Sequence, residues 1–204
     1  MTELLLLLMA YLLGSIPTGV LLARIYGGKD LSKEGSGNIG ATNVGRVVGK
    51  KAGLITLVGD CLKGILPLVI TMAVAGRIPW LISAVALTAF LGHLYPVFNK
   101  FKGGKGVATA LGVFLVVSPL ATLLAVITFA LILYLWRYVS LGSIIAAGIM
   151  PALMGIFASS KIYIVLAVLV GGLVIYRHRE NIKRLIEGKE NKFGGEKEAN
   201  AQRT

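Results

Sequence analysis

The sequence predicts an all-α integral membrane protein with seven transmembrane helices, one of them short, an outside N-terminus and a cytoplasmic C-terminus. Mean hydropathy is +0.81, and 56% of the residues are hydrophobic while only 15% are charged. Soluble domains carry about 25% charged residues. The net charge of +12 is divided among segments between long apolar stretches. Membrane orientation explains that pattern better than nucleic-acid binding does.

Six apolar stretches are long enough to cross a bilayer core of about 30 Å, which requires about 20 residues per helix. The first lacks a preceding basic segment and is therefore expected to be a span, not a cleavable signal. Residues 103–136 are too long for one span, and Ser118-Pro119 is a natural break because proline lacks an N–H. A short helix at about 104–117 should therefore precede a full one. The full spans are expected near 3–26, 53–76, 79–98, 119–136, 139–158 and 161–177.

The distribution of basic residues supports the count of seven. Without the short helix, every later segment would change sides and the basic tail would lie outside, against the positive-inside rule. With it, only Arg77 and Lys161 lie outside. The basic residues expected in the cytoplasm before the tail are Lys29, Lys33, Arg46, Lys50, Lys51, Lys100, Lys102, Lys105 and Arg137.

One membrane domain is expected over residues 1–188, followed by a charged and disordered tail over 189–204. In this topology four polar segments reach the cytoplasmic side. They are the loop after the first span, the Lys100–Lys105 loop, the Arg137–Ser143 connection and the C-terminal segment.

The segment from Gly35 to Arg46 is rich in glycine, hydroxyl and amide side chains. Glycines allow backbone N–H groups to converge on an anion, and a closing arginine adds a guanidinium fork. This composition predicts phosphate binding; a flexible interfacial linker is the alternative. A second basic run, Gly103-Gly104-Lys105-Gly106, repeats the chemistry. Neither run matches the Walker pattern of nucleotide hydrolases.

Asp60 and Lys63 lie three residues apart in the second span. Ionisable residues at membrane depth face protein or water, so a buried ion pair is expected there. With a helix start near Gly53, Asp60 would lie roughly 10 Å below the interface and could brace the loop. Direct substrate contact is the alternative for this pair.

Arg177, Asn181 and Arg184 recur with helical spacing near the C-terminal end, and His178 adjoins this face. A charged membrane flank alone would not require the asparagine, so a phosphate contact is favoured over simple anchoring. His93 lies near the end of the third span, where a satisfied interfacial residue is an equal alternative to a functional one.

The sequence lacks the residue patterns that several types of catalysis require. Asp60 is the only carboxylate in the interior of a predicted span, and two histidines with one cysteine exclude an ordinary zinc site. Neither histidine begins a His-x-x-x-x-Asp motif, and no Gly-x-Ser-x-Gly motif has a plausible triad. We therefore expect no metal and no cofactor.

The ordered set of motifs closely resembles the bacterial acyl-phosphate:glycerol-3-phosphate acyltransferases, the PlsY family. The resemblance covers nearly the whole chain before the tail. It rests on Gly14-Ser15-Ile16-Pro17-Thr18-Gly19, on Gly35 to Arg46, on Gly59-Asp60 with Lys63-Gly64, on Gly92-His93 through Thr109, on Ser140-Leu141-Gly142-Ser143, and on Arg177-His178 with Asn181-Ile182 and Arg184-Leu185.

The resemblance implies a multi-pass enzyme of the bacterial inner membrane with a cytoplasmic active site. It would transfer a fatty acyl group from acyl phosphate to the 1-hydroxyl of sn-glycerol 3-phosphate, giving lysophosphatidate and inorganic phosphate as the first acylation of phospholipid synthesis. The partners implied are these substrates and the lipid bilayer. No nucleic acid and no obligate protein partner are implied.

By motif position, the resemblance implies a catalytic role for His178, Asn181 and Ser36, and support from Asp60, Lys63 and, as base or scaffold, His93. The residues implied in substrate and phosphate binding are Ser36, Asn38, Thr42, Arg46, Gly104, Lys105, Ser143, His178 and Asn181. Without the resemblance, a small transporter or channel for a phosphate-bearing anion would be an almost equal alternative. A structural scaffold would leave the Ser, Asn and Arg pattern unexplained.

Overall fold

The computed structural model describes residues 1–194, and every regular element in that range is helical. Of the tail predicted to be disordered over residues 189–204, residues 195–204 lie outside the described residues, and the disorder stays a prediction. The chain divides into two compact units, Met1–Pro119 and Leu120–Thr204. The one-domain prediction for 1–188 stays a prediction.

The first unit contains six α-helices and one 3-10 turn. They are α1 (Thr2–Gly14), α2 (Thr18–Gly27), α3 (Ala41–Val47), α4 (Lys50–Ala75), α5 (Pro79–Leu94), the 3-10 turn Val97–Asn99 and α6 (Val107–Val117). The second unit contains α7 (Pro119–Trp136), which begins one residue before the unit boundary, α8 (Val139–Phe157), α9 (Ile162–Arg177) and α10 (Arg179–Ile186).

Five helical segments of the described chain are long and apolar enough to cross a membrane. They are Thr2–Gly27, Lys50–Ala75, Pro79–Asn99, Pro119–Trp136 and Val139–Phe157. A sixth is obtained if α9 and α10, which meet at an angle of 56°, count as one span. The multi-pass helical architecture is confirmed. The count of seven and the placement of the termini stay predictions, and α6 is too short to count as a span by itself.

The first span differs from the prediction of one helix near 3–26, because it is broken between α1 and α2. Pro17 lies at the break and has no backbone N–H to donate. The carbonyl of Ile16 accepts a hydrogen bond from Lys63 Nζ at 2.7 Å and another from the Thr18 N–H at 3.0 Å. A buried ammonium therefore satisfies the backbone where the helix stops.

Small residues allow close helix contacts in the first unit. A Cβ atom added to Gly64 of α4 would collide with the Thr109 carbonyl of α6, and one added to Gly112 of α6 would collide with the Cys61 carbonyl of α4. The two glycines thus let each backbone approach the other, as small residues do in membrane helix pairs. This contact places the start of α6, and with it the second glycine run, beside α4.

The segment Gly35–Arg46 is not a loop throughout, since Ala41 begins α3. Val44 of this helix is fully buried in a small apolar cluster with Ala23, Leu31 and Ala52. Gly45 also lies so close to Gly53 that an added Cβ on Gly53 would be 2.7 Å from its Cα. Burial of one apolar side chain thus overrides the low helix propensity of glycine and anchors the glycine-rich segment.

Candidate active site

The first glycine loop is held by one buried amide, that of Asn43. Its Oδ1 accepts the backbone N–H of Ser36 at 2.8 Å. Its Nδ2 donates to the carbonyl oxygens of Asn38 at 2.8 Å, Glu34 at 3.1 Å and Leu31 at 3.4 Å. An N–H on one side and carbonyls on the other fix the amide orientation. The loop therefore has a defined conformation, which a flexible linker would lack.

Two further details shape this loop around Ser36. Gly35 has a φ of +61°, and a Cβ there would collide with Asn43 Oδ1. Asn38 closes a turn of its own, because its Oδ1 accepts the Gly40 N–H at 2.8 Å. Glycine is thus required at 35 both by conformation and by space. The Asn38 side-chain oxygen is already engaged in the loop.

The remaining predicted residues of this loop face outward. Ser36 and Thr42 are exposed and Arg46 is half-buried. Thr42 and Arg46 are four residues apart on α3, so they lie on one face of the helix. Among residues 1–194 no carboxylate pairs with the Arg46 guanidinium. The loop thus presents two hydroxyl groups, together with an arginine that has no carboxylate partner among residues 1–194.

The second glycine run folds over the end of α5. The Gly104 N–H donates to the His93 carbonyl at 3.3 Å, and a Cβ on Gly104 would collide with Nε2 of the His93 ring. Gly106 has a φ of +84° and lies against the ring of Phe90. Between these two buried glycines, Lys105 is half-buried. The glycines therefore allow the run to pack directly against α5, and this packing fixes the position of the Lys105 backbone.

The ion pair predicted within α4 is present, with Lys63 Nζ 2.9 Å from Asp60 Oδ1 and both side chains buried. His93 Nδ1 lies 4.0 Å from the same carboxylate oxygen. The pair is deeper than expected: α4 begins at Lys50, not near Gly53, which places Asp60 about 15 Å along the helix. The pair lies beside the His93 ring, against which Gly104 packs, and Lys63 also contacts the carbonyl of Ile16. The bracing role stays a prediction.

In the second unit, His178 lies at the bend between α9 and α10 and is buried. Its Nδ1 is 2.8 Å from the Val174 carbonyl, which can only accept, so Nδ1 carries the hydrogen. Asn181 is buried on α10, one turn later. Ser143 on α8 is also buried, and its hydroxyl donates to the Val139 carbonyl at 2.9 Å.

Glu190 is the residue that the sequence analysis missed. Its Oε1 accepts hydrogen bonds from Ser140 Oγ at 2.8 Å and Asn181 Nδ2 at 2.7 Å. Its Oε2 accepts from Arg184 Nε at 2.7 Å. Two of these donors belong to the helical face predicted to contact phosphate. The only signal for it in the sequence was a glutamate a few residues after Arg184, within a segment whose composition predicts disorder.

The three donors also set the protonation of this carboxyl group. Partial burial raises the pKa of Glu190, but the hydrogen bonds from Asn181, Ser140 and Arg184 and the Arg184 charge outweigh it and hold the pKa below its ordinary value. At neutral pH Glu190 is therefore ionised, and both of its oxygens accept hydrogen bonds. In consequence, Asn181 Nδ2 and Arg184 Nε form an anion-binding pair that already holds a carboxylate.

Each unit thus presents hydrogen-bond donors and basic groups of the kind that bind oxyanions. Within residues 1–194, no group of three or more His, Cys, Asp or Glu side chains could hold a metal ion. What the residues offer is hydrogen-bond donors and cations at fixed positions. Such an arrangement orients anionic substrates and offsets their charge.

Comparison with known proteins agrees with this chemistry. A family model described as glycerol-3-phosphate acyltransferase matches residues 4–188. A glycerol-3-phosphate acyltransferase of Syntrophotalea carbinolica is 54% identical over 187 residues, covering 92% of this chain and 95% of the relative. One from Aquifex aeolicus is 47% identical over 196 residues, covering 95% and 100%.

A crystal structure of PlsY, an integral membrane glycerol 3-phosphate acyltransferase in its glycerol 3-phosphate form, superposes with a TM-score of 0.90 at 44% identity, covering 97% of this chain and 98% of that one. The lysophosphatidic acid form gives a TM-score of 0.87 at 45% identity, covering 95% and 96%. With a family match across most of its length and relatives this similar, the chain belongs to the glycerol-3-phosphate acyltransferase family.

Proposed function

We propose that this protein transfers a fatty acyl group from acyl phosphate to the 1-hydroxyl of sn-glycerol 3-phosphate and releases lysophosphatidate and inorganic phosphate. The observation that carries the proposal is the Asn43-clamped loop, which presents Ser36, Thr42 and Arg46 in a chain of this family. Relatives crystallised in glycerol 3-phosphate and lysophosphatidic acid forms support the acceptor and the product.

The choice of acyl phosphate as donor rests on the motif resemblance and on chemistry. Acyl phosphate is a mixed anhydride with a good leaving group, so the protein needs only to orient two anions and offset their repulsion. The acceptor hydroxyl oxygen forms a bond to the acyl carbon, the carbon–oxygen bond to phosphate breaks, and the departing phosphate takes the hydroxyl proton. This route requires no side chain that becomes acylated.

Roles follow from the charge and position of each group. Arg46 and Lys105 bind phosphate groups, with the glycine backbone at Gly104 admitting a close approach. Ser36, Asn38, Thr42 and Ser143 hold polar substrate atoms, and His178 with Asn181 orients the hydroxyl or the transferring phosphate. Asp60, Lys63 and His93 support the second glycine run from below.

The proposed setting is the bacterial inner membrane, with seven helices and the active site facing the cytoplasm. The positive-inside distribution supports it, since Arg77 and Lys161 alone lie on the other side in that topology. This setting would give the enzyme its polar substrates from the cytoplasm and its acyl chain from the bilayer.

Proteoliposomes containing the full chain test the proposal. Labelled glycerol 3-phosphate should become labelled lysophosphatidate with acyl phosphate, and not with acyl-CoA or acyl carrier protein. Lys105→Ala should abolish the reaction without loss of folded protein, whereas Lys161→Ala serves as the matched control. Uptake of unchanged glycerol 3-phosphate without product would establish the transport alternative, and equal use of acyl-CoA would refute donor selectivity.

A further inference from the structure

A cavity of about 290 Å³ lies in the first unit, and none of its lining residues belongs to the two glycine loops. Its walls come from the region around the α1–α2 break, from α2, and from the 3-10 turn after α5. The residues that line it are Ile16, Pro17, Val20, Leu21, Arg24, Phe98 and Asn99. None of the residues assigned to acyl transfer is among them.

The cavity is amphipathic along its length. Arg24 lies in the last turn of α2 and Asn99 ends the segment Pro79–Asn99, so both polar residues lie at the ends of candidate spans. Thr18, which begins α2 directly after Ile16 and Pro17, precedes Arg24 by six residues, which places it about 9 Å closer to the middle of the span. The cavity therefore runs from a polar mouth to an apolar floor, which matches a headgroup and the chain attached to it.

Charge at the mouth favours an anion. Arg24 is exposed, and no carboxylate within residues 1–194 pairs with it. Lys100 and Lys102, next to Phe98 and Asn99 in the chain, are also exposed. Basic groups around pockets at membrane interfaces are a recurrent feature of anionic-lipid recognition.

The turn that carries Phe98 has an unusual backbone conformation that several hydrogen bonds hold. Lys100 and Phe101 have φ values of +51° and +59°, a conformation that is unfavourable for residues with side chains. It is held by hydrogen bonds to the Pro96 carbonyl from the N–H groups of Asn99 and Phe101, at 3.1 and 2.9 Å, and by Asn99 Nδ2 to the Lys102 carbonyl at 2.6 Å. Such strain is retained where the exact placement of side chains matters.

Three apolar side chains that line the cavity lie at the protein surface, since Ile16, Leu21 and Phe98 are 39%, 43% and 60% exposed. A chain in this cavity could belong to a lipid that remains part of the bilayer. We propose that the cavity binds a bilayer phospholipid with an anionic headgroup, its phosphate against Arg24 and one acyl chain along Val20 and Phe98. This site is independent of the proposed acyl transfer.

Native mass spectrometry of the purified full chain in detergent tests the site, with dioleoyl phosphatidylglycerol and dioleoyl phosphatidylcholine as probes. The wild type should retain phosphatidylglycerol in preference to phosphatidylcholine. Arg24→Gln should lower that retention about fivefold, the effect expected from the loss of one basic contact with an anionic lipid. The control Arg77→Gln removes another exposed guanidinium outside the cavity and should leave retention unchanged. Equal effects of the two variants would overturn the proposal.

Two further measurements distinguish lipid binding in the cavity from binding by surface charge in general and from a role of the cavity in acyl transfer. Val20→Trp, with Leu21→Phe as a milder second variant, should fill the cavity and lower retention of both lipids while Arg24 remains. If neither variant lowers lipid retention, the proposed site is overturned. Acyl transfer by Arg24→Gln in detergent should equal that of the wild type. Loss of that activity, or displacement of phosphatidylglycerol by lysophosphatidate, would assign the cavity to the reaction instead.

Discussion

The backbone N–H of Ser36 donates to the side-chain oxygen of Asn43 at 2.8 Å, so a buried amide on α3 sets the position of an exposed serine seven residues earlier. The opposite end of the same amide donates to three carbonyl groups. A side chain that both accepts and donates is therefore required at position 43. Aspartate has nearly the same shape and lacks the donor.

Asn43→Asp is expected to abolish acyl transfer and to release the loop, because a carboxylate would face three carbonyl oxygens. Each buried group left unsatisfied costs about 1–3 kcal/mol. Hydrogen exchange of residues 35–46 should rise sharply while α4 and α5 stay protected. Asn191→Asp, an exposed site, is the matched control. Unchanged exchange in the loop would contradict the clamp.

Arg46→Lys is expected to lower kcat/KM for glycerol 3-phosphate at least about tenfold, which corresponds to about 1.4 kcal/mol. An ammonium keeps the charge and cannot reproduce the two-pronged contact of a guanidinium with phosphate. Lys51→Arg, an exposed exchange nearby, should change little. Wild-type affinity in Arg46→Lys would remove this residue from the phosphate site.

Removing one partner of the Asp60–Lys63 pair should be more harmful than removing both. Asp60→Leu or Lys63→Met leaves a buried charge alone, at a cost of about 3–5 kcal/mol, whereas an apolar pair is often tolerated. The double variant should therefore regain much of the thermal stability in detergent that either single variant loses. If the double variant is as unstable as the sum of both singles, the charges are not coupled.

The contacts of Glu190 are expected to weaken in acid. Its folded pKa lies below its unfolded value, so the carboxylate contributes stability above the unfolded pKa and loses it as the pH falls through the folded one. The difference in Tm between the wild type and Glu190→Gln should be large at neutral pH and should shrink in that acidic range. A difference that stays constant with pH would mean that ionisation is irrelevant.

Acyl transfer is expected to proceed without an acyl-enzyme. Cys61 lies half-buried within α4, and Cys61→Ala should stay active. Ser36→Ala should lose activity through a missing hydrogen bond to substrate. Rapid quenching with labelled acyl phosphate and no acceptor, followed by intact-protein mass spectrometry, checks this point. A stoichiometric adduct that glycerol 3-phosphate discharges would establish a covalent mechanism instead.

The long apolar helices were predictable because bilayer thickness imposes their length. The helix predicted at 53–76 occupies Lys50–Ala75, and that at 139–158 occupies Val139–Phe157. The helix break at Pro17 was missed because the residues on both sides of it are apolar, so the segment has the hydropathy of one continuous span. The motif positions were visible as a pattern of residue types, and their roles in binding stay predictions.

Three features depend on tertiary contacts that composition does not reveal. Glycines in the stretch Gly35–Arg46 argue against helix, and burial of Val44 reverses that preference. Asn43 is polar within a polar loop, so nothing marks it as buried. Glu190 lies nine residues beyond Asn181 in a charged segment, and only the fold brings the two side chains together.

The contact between Lys63 and the Ile16 carbonyl has a consequence for membrane insertion of the nascent chain. A lone ammonium within hydrocarbon is costly, and α4 supplies only Asp60 as its own counter-charge. The second acceptor comes from a segment that the ribosome makes earlier. We therefore expect the first span to lie beside α4 when Lys63 enters the bilayer, and a chain starting after Ile16 would insert α4 with one acceptor fewer for the Lys63 ammonium.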